Sequence, residues 1–386
     1  MKYWLYNVQN TVFMYFWENF KAMKLSTFII RAAAVAAAAL AGTFSEMSAC
    51  TGISFKAGDG SYVLARTAEW GGSDLQSRYV IVPRGFRHTA LTSTGGTGLI
   101  FTGKYGYVGV AAEQDQFVLE GLNEQGLSAG LFFFPAYGQY PDYDSAQVDR
   151  TVPDMQVVSW ILANFTSVQE VIDHFDEIIV TKLYPQAGTS HWRVGEPSGR
   201  QIVIEIVDGK TNFYENEIGV LTNAPGFPWH VTNLNNYVNL AFGEADGNAF
   251  SAWPQVRRFG AGTGMIGLPG DVTPPSRFVR AAYYQATAPQ YPTAEETVMS
   301  CFLILNNFDI PIGVERQKDH APVDIPGATQ FTTAADTKGL KFYWRTCWNS
   351  TIRCIDLTSI DFAKVRYTVA PLDKVRQQPV EMIKVR

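Results

Sequence analysis

Cys50 closes an apolar, alanine-rich leader in the stretch "FSEMSACTGISF". If the chain is cut after Ala49, one residue carries both a thiol and a free α-amine. A thiol ordinarily titrates near ~8.5 and an α-amine near ~7.7–8.0, so the amine can act as base to its own side-chain nucleophile at neutral pH. No histidine is then needed, in a chain with only 5 of them among 386 residues. Such a nucleophile still needs positive charge to favour the thiolate, and donors for a tetrahedral oxyanion. Arg66 follows in "LARTAEW", and pairing across one hairpin brings its guanidinium towards Cys50. Glu69 is placed to hold Arg66 or to bind the α-ammonium.

The segment before Cys50 supports the cut. From Met23 the chain reads "MKLSTFIIRAAAVAAAALAGTFSEMSA": Lys24 and Arg31, an apolar run over 32–41, then small residues. That is the grammar of a secretory signal peptide, and the run is too short for a membrane span. Residues 1–22 have no role in that grammar and read as an upstream start codon rather than structure. The expectation is an exported protein, periplasmic or secreted, with residues 50–386 as its one domain. "MSAC" also approximates the lipoprotein pattern, in which Cys50 would be a lipid anchor on a ligand-binding domain. The two uses of Cys50 exclude each other on one molecule.

Other classes are less compatible with the composition. A net charge of −5 leaves no basic footprint for nucleic acid. His88, His174, His191, His230 and His320 show no metal spacing and no C-x-x-C occurs, so neither a metal nor a cofactor is expected. Cys347 and Cys354 are near enough in sequence to bridge a short loop in an oxidising compartment, which leaves that pairing open. Gly262, Gly264 and Gly267 form a G-x-G-x-x-G without the strand-to-helix setting or the acidic residue that a dinucleotide site requires.

The elements that must position Cys50 begin with a hairpin. "CTGISF" and "YVLARTAEW" flank "KAGDGS", whose Asp59-Gly60 is a turn signal. "RYVIVPRG", "YGYVGVAA", "LSAGLFFF", "HWRVGEP", "QIVIEIVDG" and "IGVLTNAP" read as further short strands. Helical periodicity marks "DMQVVSWILANF", "SVQEVIDHFDEI", "SRFVRAAYYQA" and "AEETVMSCFLILNNF". Strands return in "KFYWRTCW", "TIRCIDL" and "VRYTV". Grouped strands and helices predict layered α+β architecture, not a chain of βαβ units. The Gly/Pro-rich "FGAGTGMIGLPGDVTPPSRF" reads as a long loop near a binding site.

Taken together, "CTGISF…LARTAEW…YVIVPRG", "GLNEQGLSAGLFFFP", "GVLTNAPGFPWHVTNLNNY" and "GLPGDVTPPSRFVRAAYY" resemble the choloylglycine hydrolase family, in family order and across essentially all of 50–386. The likeness is greatest to the Gram-negative branch, whose members carry a signal peptide. The resemblance implies the αββα four-layer sandwich of N-terminal-nucleophile hydrolases and hydrolysis of glycine- or taurine-conjugated bile salts. Penicillin V and N-acyl homoserine lactones stay open as alternative substrates. It also implies a homo-oligomer, commonly a tetramer. Cys50 matches the nucleophile, Arg66 and Arg277 the two site arginines, and Asn223 the amide donor to the oxyanion. The second donor is a backbone N–H that falls on Phe133. Alone, Asn223 before Ala-Pro reads as a turn residue and Arg277 as a helix-surface one. Two departures stand out: Glu69 where the family has Asp, and Phe133 where it has Asn or Tyr. Trp70, Phe132, Phe134 and Tyr137 lie in or beside these motifs as candidate lining for an acyl pocket, or as core.

Overall fold

The computed structural model describes residues 48–71, 73–184, 187–314 and 327–385. Residues 1–47 of the leader, with its signal-like segment and alternative start, lie outside these residues. The Asp59-Gly60 turn forms as expected. Gly60 has φ 83°, in the left-handed region where glycine alone is unstrained. Asp59 Oδ1 accepts from Ser61 N, and its Oδ2 accepts from Ala294 N, tying the hairpin to the start of helix Ala294–Leu305.

That hairpin opens a five-stranded antiparallel sheet in spatial order Ser48–Lys56, Tyr62–Trp70, Ala328–Asp336, Lys341–Thr346 and Arg353–Asp356. A second antiparallel sheet has eight strands, in the order Lys210–Glu215, Gln201–Val207, Ser190–Gly195, Ser128–Phe133, Val118–Asn123, Tyr107–Ala111, Arg78–Val82 and Thr368–Pro371. Helices Pro274–Thr287 and Ala294–Leu305 cover the first sheet, and Val157–Asn164 covers the second. The fold is thus the αββα sandwich. Val157–Asn164 is apolar on every side because it is buried on nearly every side, seven of its eight residues lying in the core.

One expectation is corrected here. "IGVLTNAP" is not a strand: only Leu221 makes a bridge, to Gly52, before a cis Ala224–Pro225 bond turns the chain. The irregular path carries Asn223 to Cys50. Conversely, the central strand Ala328–Asp336 is unmarked in the sequence. It is buried along its whole length, so "ATQFTTAAD" shows no alternation to read. Cys347 and Cys354 are both unpaired. Cys354 faces Tyr343 across its ladder, four residues from Cys347. At ~3.3 Å per residue that offset is about 13 Å, well beyond the ~7 Å a disulfide spans.

Candidate active site

Cys50 faces Ala68 across the hairpin, and Arg66 faces Gly52, so Cys50 and Arg66 are diagonal neighbours on one face. Arg66 Nη2 lies 2.7 Å from Cys50 Sγ. The Phe133 backbone N–H also points at the sulfur, from the facing sheet. Cys50 N donates to Asn223 Oδ1 at 2.9 Å. Arg277, the fourth residue of its helix and fully buried, donates to Asn223 Oδ1 at 2.7 Å and to Thr51 Oγ1 at 2.9 Å. Its Nη1 also reaches the carbonyl of Cys50 at 2.5 Å. The remaining Asn223 contact is from Nδ2, which gives one N–H to Phe133 O at 2.8 Å and keeps a second. Five of the residues picked from sequence, Cys50, Arg66, Asn223, Arg277 and Phe133, therefore meet around one sulfur and one nitrogen.

Glu69 lies opposite Ala49, the residue before Cys50, and accepts from Thr329 Oγ1 at 3.0 Å. Burial pushes its carboxyl up to about 7, against the pull of Arg277 and Arg66. Burial also holds the Cys50 thiol above its ordinary value, outweighing Arg66, with Glu69 adding to the rise. The sulfur therefore rests as a thiol at neutral pH, and attack requires a base within reach.

These shifts give signed expectations for the chain beginning at Cys50. Glu69→Gln removes a charge that raises the thiol, so thiolate is more populated at pH 7 and alkylation by iodoacetamide is faster. Arg66→Leu acts the other way and slows it. Alkylation rate against pH measures both; slower alkylation in Glu69→Gln would remove Glu69 from the electrostatics of the sulfur.

Sequence reasoning missed what holds Arg66. Its guanidinium lies 4.3 Å over the Phe132 ring, donates to Leu131 O at 2.5 Å and sits 3.6 Å from Glu120 Oε2. Glu120 is also 3.4 Å from Arg193 Nη2, and Arg193 donates to Ile53 O at 3.0 Å. All three ionic side chains are buried between the sheets. Two glycines make the room. A Cβ on Gly52 would lie 2.8 Å from Arg193 Nη1, and one on Gly130 only 2.0 Å from Glu120 Oε2. The available signal was a Glu and an Arg inside otherwise apolar strands, which argues for partners in the interior.

The aromatic candidates divide. Trp70 packs edge-on against Phe133, ring centroids 6.1 Å apart, beside the sulfur. Phe132 is wholly buried between the two guanidiniums. Phe134 stacks on His191 at 4.4 Å and, with half-exposed Tyr137, lines a separate cavity. Asn123 holds its turn through Oδ1, which accepts from Gln125 N and Leu127 N, and its Nδ2 donates to Leu162 O and Phe165 O. Among the described residues no group of three or more potential ligands could hold a metal, and no helix is long and apolar enough to cross a membrane.

Fold and site define a hydrolase of the N-terminal-nucleophile αββα class. Residues 50–368 match the family model of linear amide C–N hydrolases, choloylglycine hydrolase family. The chain belongs to that family and is a hydrolase of linear amide C–N bonds. It is 32% identical over 316 residues to a bile salt hydrolase/transferase of Clostridium perfringens, covering 80% of this chain and 92% of that one. A penicillin V acylase of Pectobacterium atrosepticum is 26% identical over 342 residues, 81% of each chain. A crystal structure of a conjugated bile acid hydrolase from Clostridium perfringens superposes with a TM-score of 0.72 at 28% identity, over 87% of this chain and all of that one.

Proposed function

We propose that this protein hydrolyses the amide bond of glycine- or taurine-conjugated bile salts, with Cys50 as an N-terminal nucleophile freed by removal of an export leader. The observation that carries the mechanism is the convergence on Cys50: Arg66 Nη2 at 2.7 Å from the sulfur, and Asn223 Oδ1 at 2.9 Å from the backbone nitrogen. Once that nitrogen is a free amine, Asn223 takes one N–H and leaves a lone pair for the thiol proton. The thiolate attacks the scissile carbonyl. Phe133 N–H and the second Asn223 Nδ2–H stabilise the oxyanion, and the ammonium protonates the leaving nitrogen as the C–N bond breaks. Water, deprotonated by the same amine, then cleaves the thioester and the thiol regains its proton. Arg66 and Arg277 hold the sulfur and Asn223 in place.

Relatives named for bile salts or conjugated bile acids support the substrate. A penicillin V acylase relative makes penicillin V the second reading. The anchor reading sits poorly with a sulfur buried between the sheets, where a lipid has no room. Amine release from glycocholate, taurocholate and penicillin V by a chain beginning at Cys50 tests the substrate: release from penicillin V alone transfers the assignment to an acylase. Asn223→Ala is expected to lose roughly 10²–10³ in kcat, read in the same assay.

An oligomer is part of the same proposal. Phe242, Phe250, Trp253, Phe259 and Ile266 all stand exposed on the irregular stretch after helix Phe227–Asn233, and exposed large apolar side chains grouped in one segment mark a surface for association. Replacing Phe242 and Phe259 by Asp should convert the assembly to monomer, measured by light scattering on a sizing column; an unchanged mass would place association elsewhere.

A further inference from the structure

A second pocket lies apart from the Cys50 sulfur, where the inner face of the eight-stranded sheet runs out beside helix Phe227–Asn233. The cavity is about 400 Å³, walled by Phe134, Tyr137, Tyr214 and Trp229, with Glu205 also lining it. Trp229 and Tyr137 are nearly half exposed and form its rim. Glu205 is only 1% exposed. Its Oε1 accepts from Phe227 N at 2.8 Å and lies 3.0 Å from His191 Nδ1, whereas no described group donates to its Oε2. A carboxylate that is almost wholly buried yet opens one oxygen without a protein donor to a cavity can take a donor from a ligand there. The other charges on the lining, Asp208 and Lys210, are exposed and opposite in sign.

We propose that this pocket binds a primary organic ammonium, its N–H groups donating to Glu205 Oε2 and its apolar body resting on the aromatic walls. The chemistry selects this class. A lone carboxylate is too few ligands for a metal ion. Aromatic faces attract a cation, and a charge-assisted hydrogen bond to a desolvated carboxylate outweighs a neutral one. The volume suits a small organic molecule. The pocket also touches the site at second hand. Phe134 follows the Phe133 donor, and Glu205 fixes Phe227 N while His191 Nε2 meets Thr222 O at 3.0 Å, on both sides of Asn223. Occupancy of Glu205 therefore loads the segment that carries the oxyanion amide.

The test is direct titration of the full processed protein with phenethylamine, cationic at pH 7, and with its neutral isostere 2-phenylethanol, followed by calorimetry and Trp229 fluorescence. Phenethylamine should bind at least about tenfold tighter than the alcohol. Glu205→Gln, which keeps an oxygen for Phe227 N, should remove that difference, and Trp229→Ala should weaken both probes. Equal affinities in the unmodified protein, or absence of saturable binding, overturns the proposal without needing either variant to fold. Because binding is read without substrate, failure here is separate from failure of the amidase reading.

Discussion

Replacing Cys50 by Ala should abolish amine release from every substrate, a loss on the order of 10⁶ in kcat, because the thioester route then has no nucleophile. The fold should survive. Cys50 occupies an edge-strand position facing Ala68, the smaller alanine fits that face, and Arg66, which loses the sulfur, keeps its bonds to Thr67 O and Leu131 O and its approach to Glu120. Unchanged thermal denaturation alongside lost turnover is therefore the expected pair of results. Cys50→Ser is the sharper control: it keeps Arg66 and the amine in place but supplies a far less acidic nucleophile, so it should also be nearly inactive. Turnover retained in Cys50→Ala would locate the chemistry on another group and remove the central assignment.

The second large effect comes from a single extra residue. A chain retaining Ala49 should be inactive, its loss about 10²–10⁴ from the missing base alone. In the unprocessed chain the Cys50 nitrogen is an amide, whose lone pair is delocalised and cannot take the thiol proton. Ala49 is itself buried and paired in register with Glu69, so it also occupies space beside Cys50. Comparing chains that begin at Cys50 and at Ala49, with mass spectrometry confirming each N-terminus, separates this from a folding defect. Equal turnover would show that the α-amine is not the base.

Much of the site was legible from sequence because its parts are local or patterned. The Asp59-Gly60 turn sets the register of one hairpin, and that register alone puts Arg66 diagonal to Cys50. Asn223 and Arg277 were legible only through their motifs, since nothing local distinguishes them from a turn residue and a helix-surface residue. The segment around Asn223 was misread as a strand because "IGVLTNAP" has the right residue types, while the chain's bends depend on what it packs against.

The sequence by itself determined the nucleophile candidate, the hairpin beside it, the α+β class and the residues that gather at the sulfur. Only the tertiary structure decided how those residues are held. Glu120 and Arg193 reach Arg66 from a different sheet, and Glu69 meets Thr329, 260 positions away. Burial then sets the chemistry: desolvation between two sheets raises both the Cys50 thiol and the Glu69 carboxyl, an effect no local pattern carries. The same is true of Glu205, whose open oxygen exists because its neighbours in space satisfy only the other one.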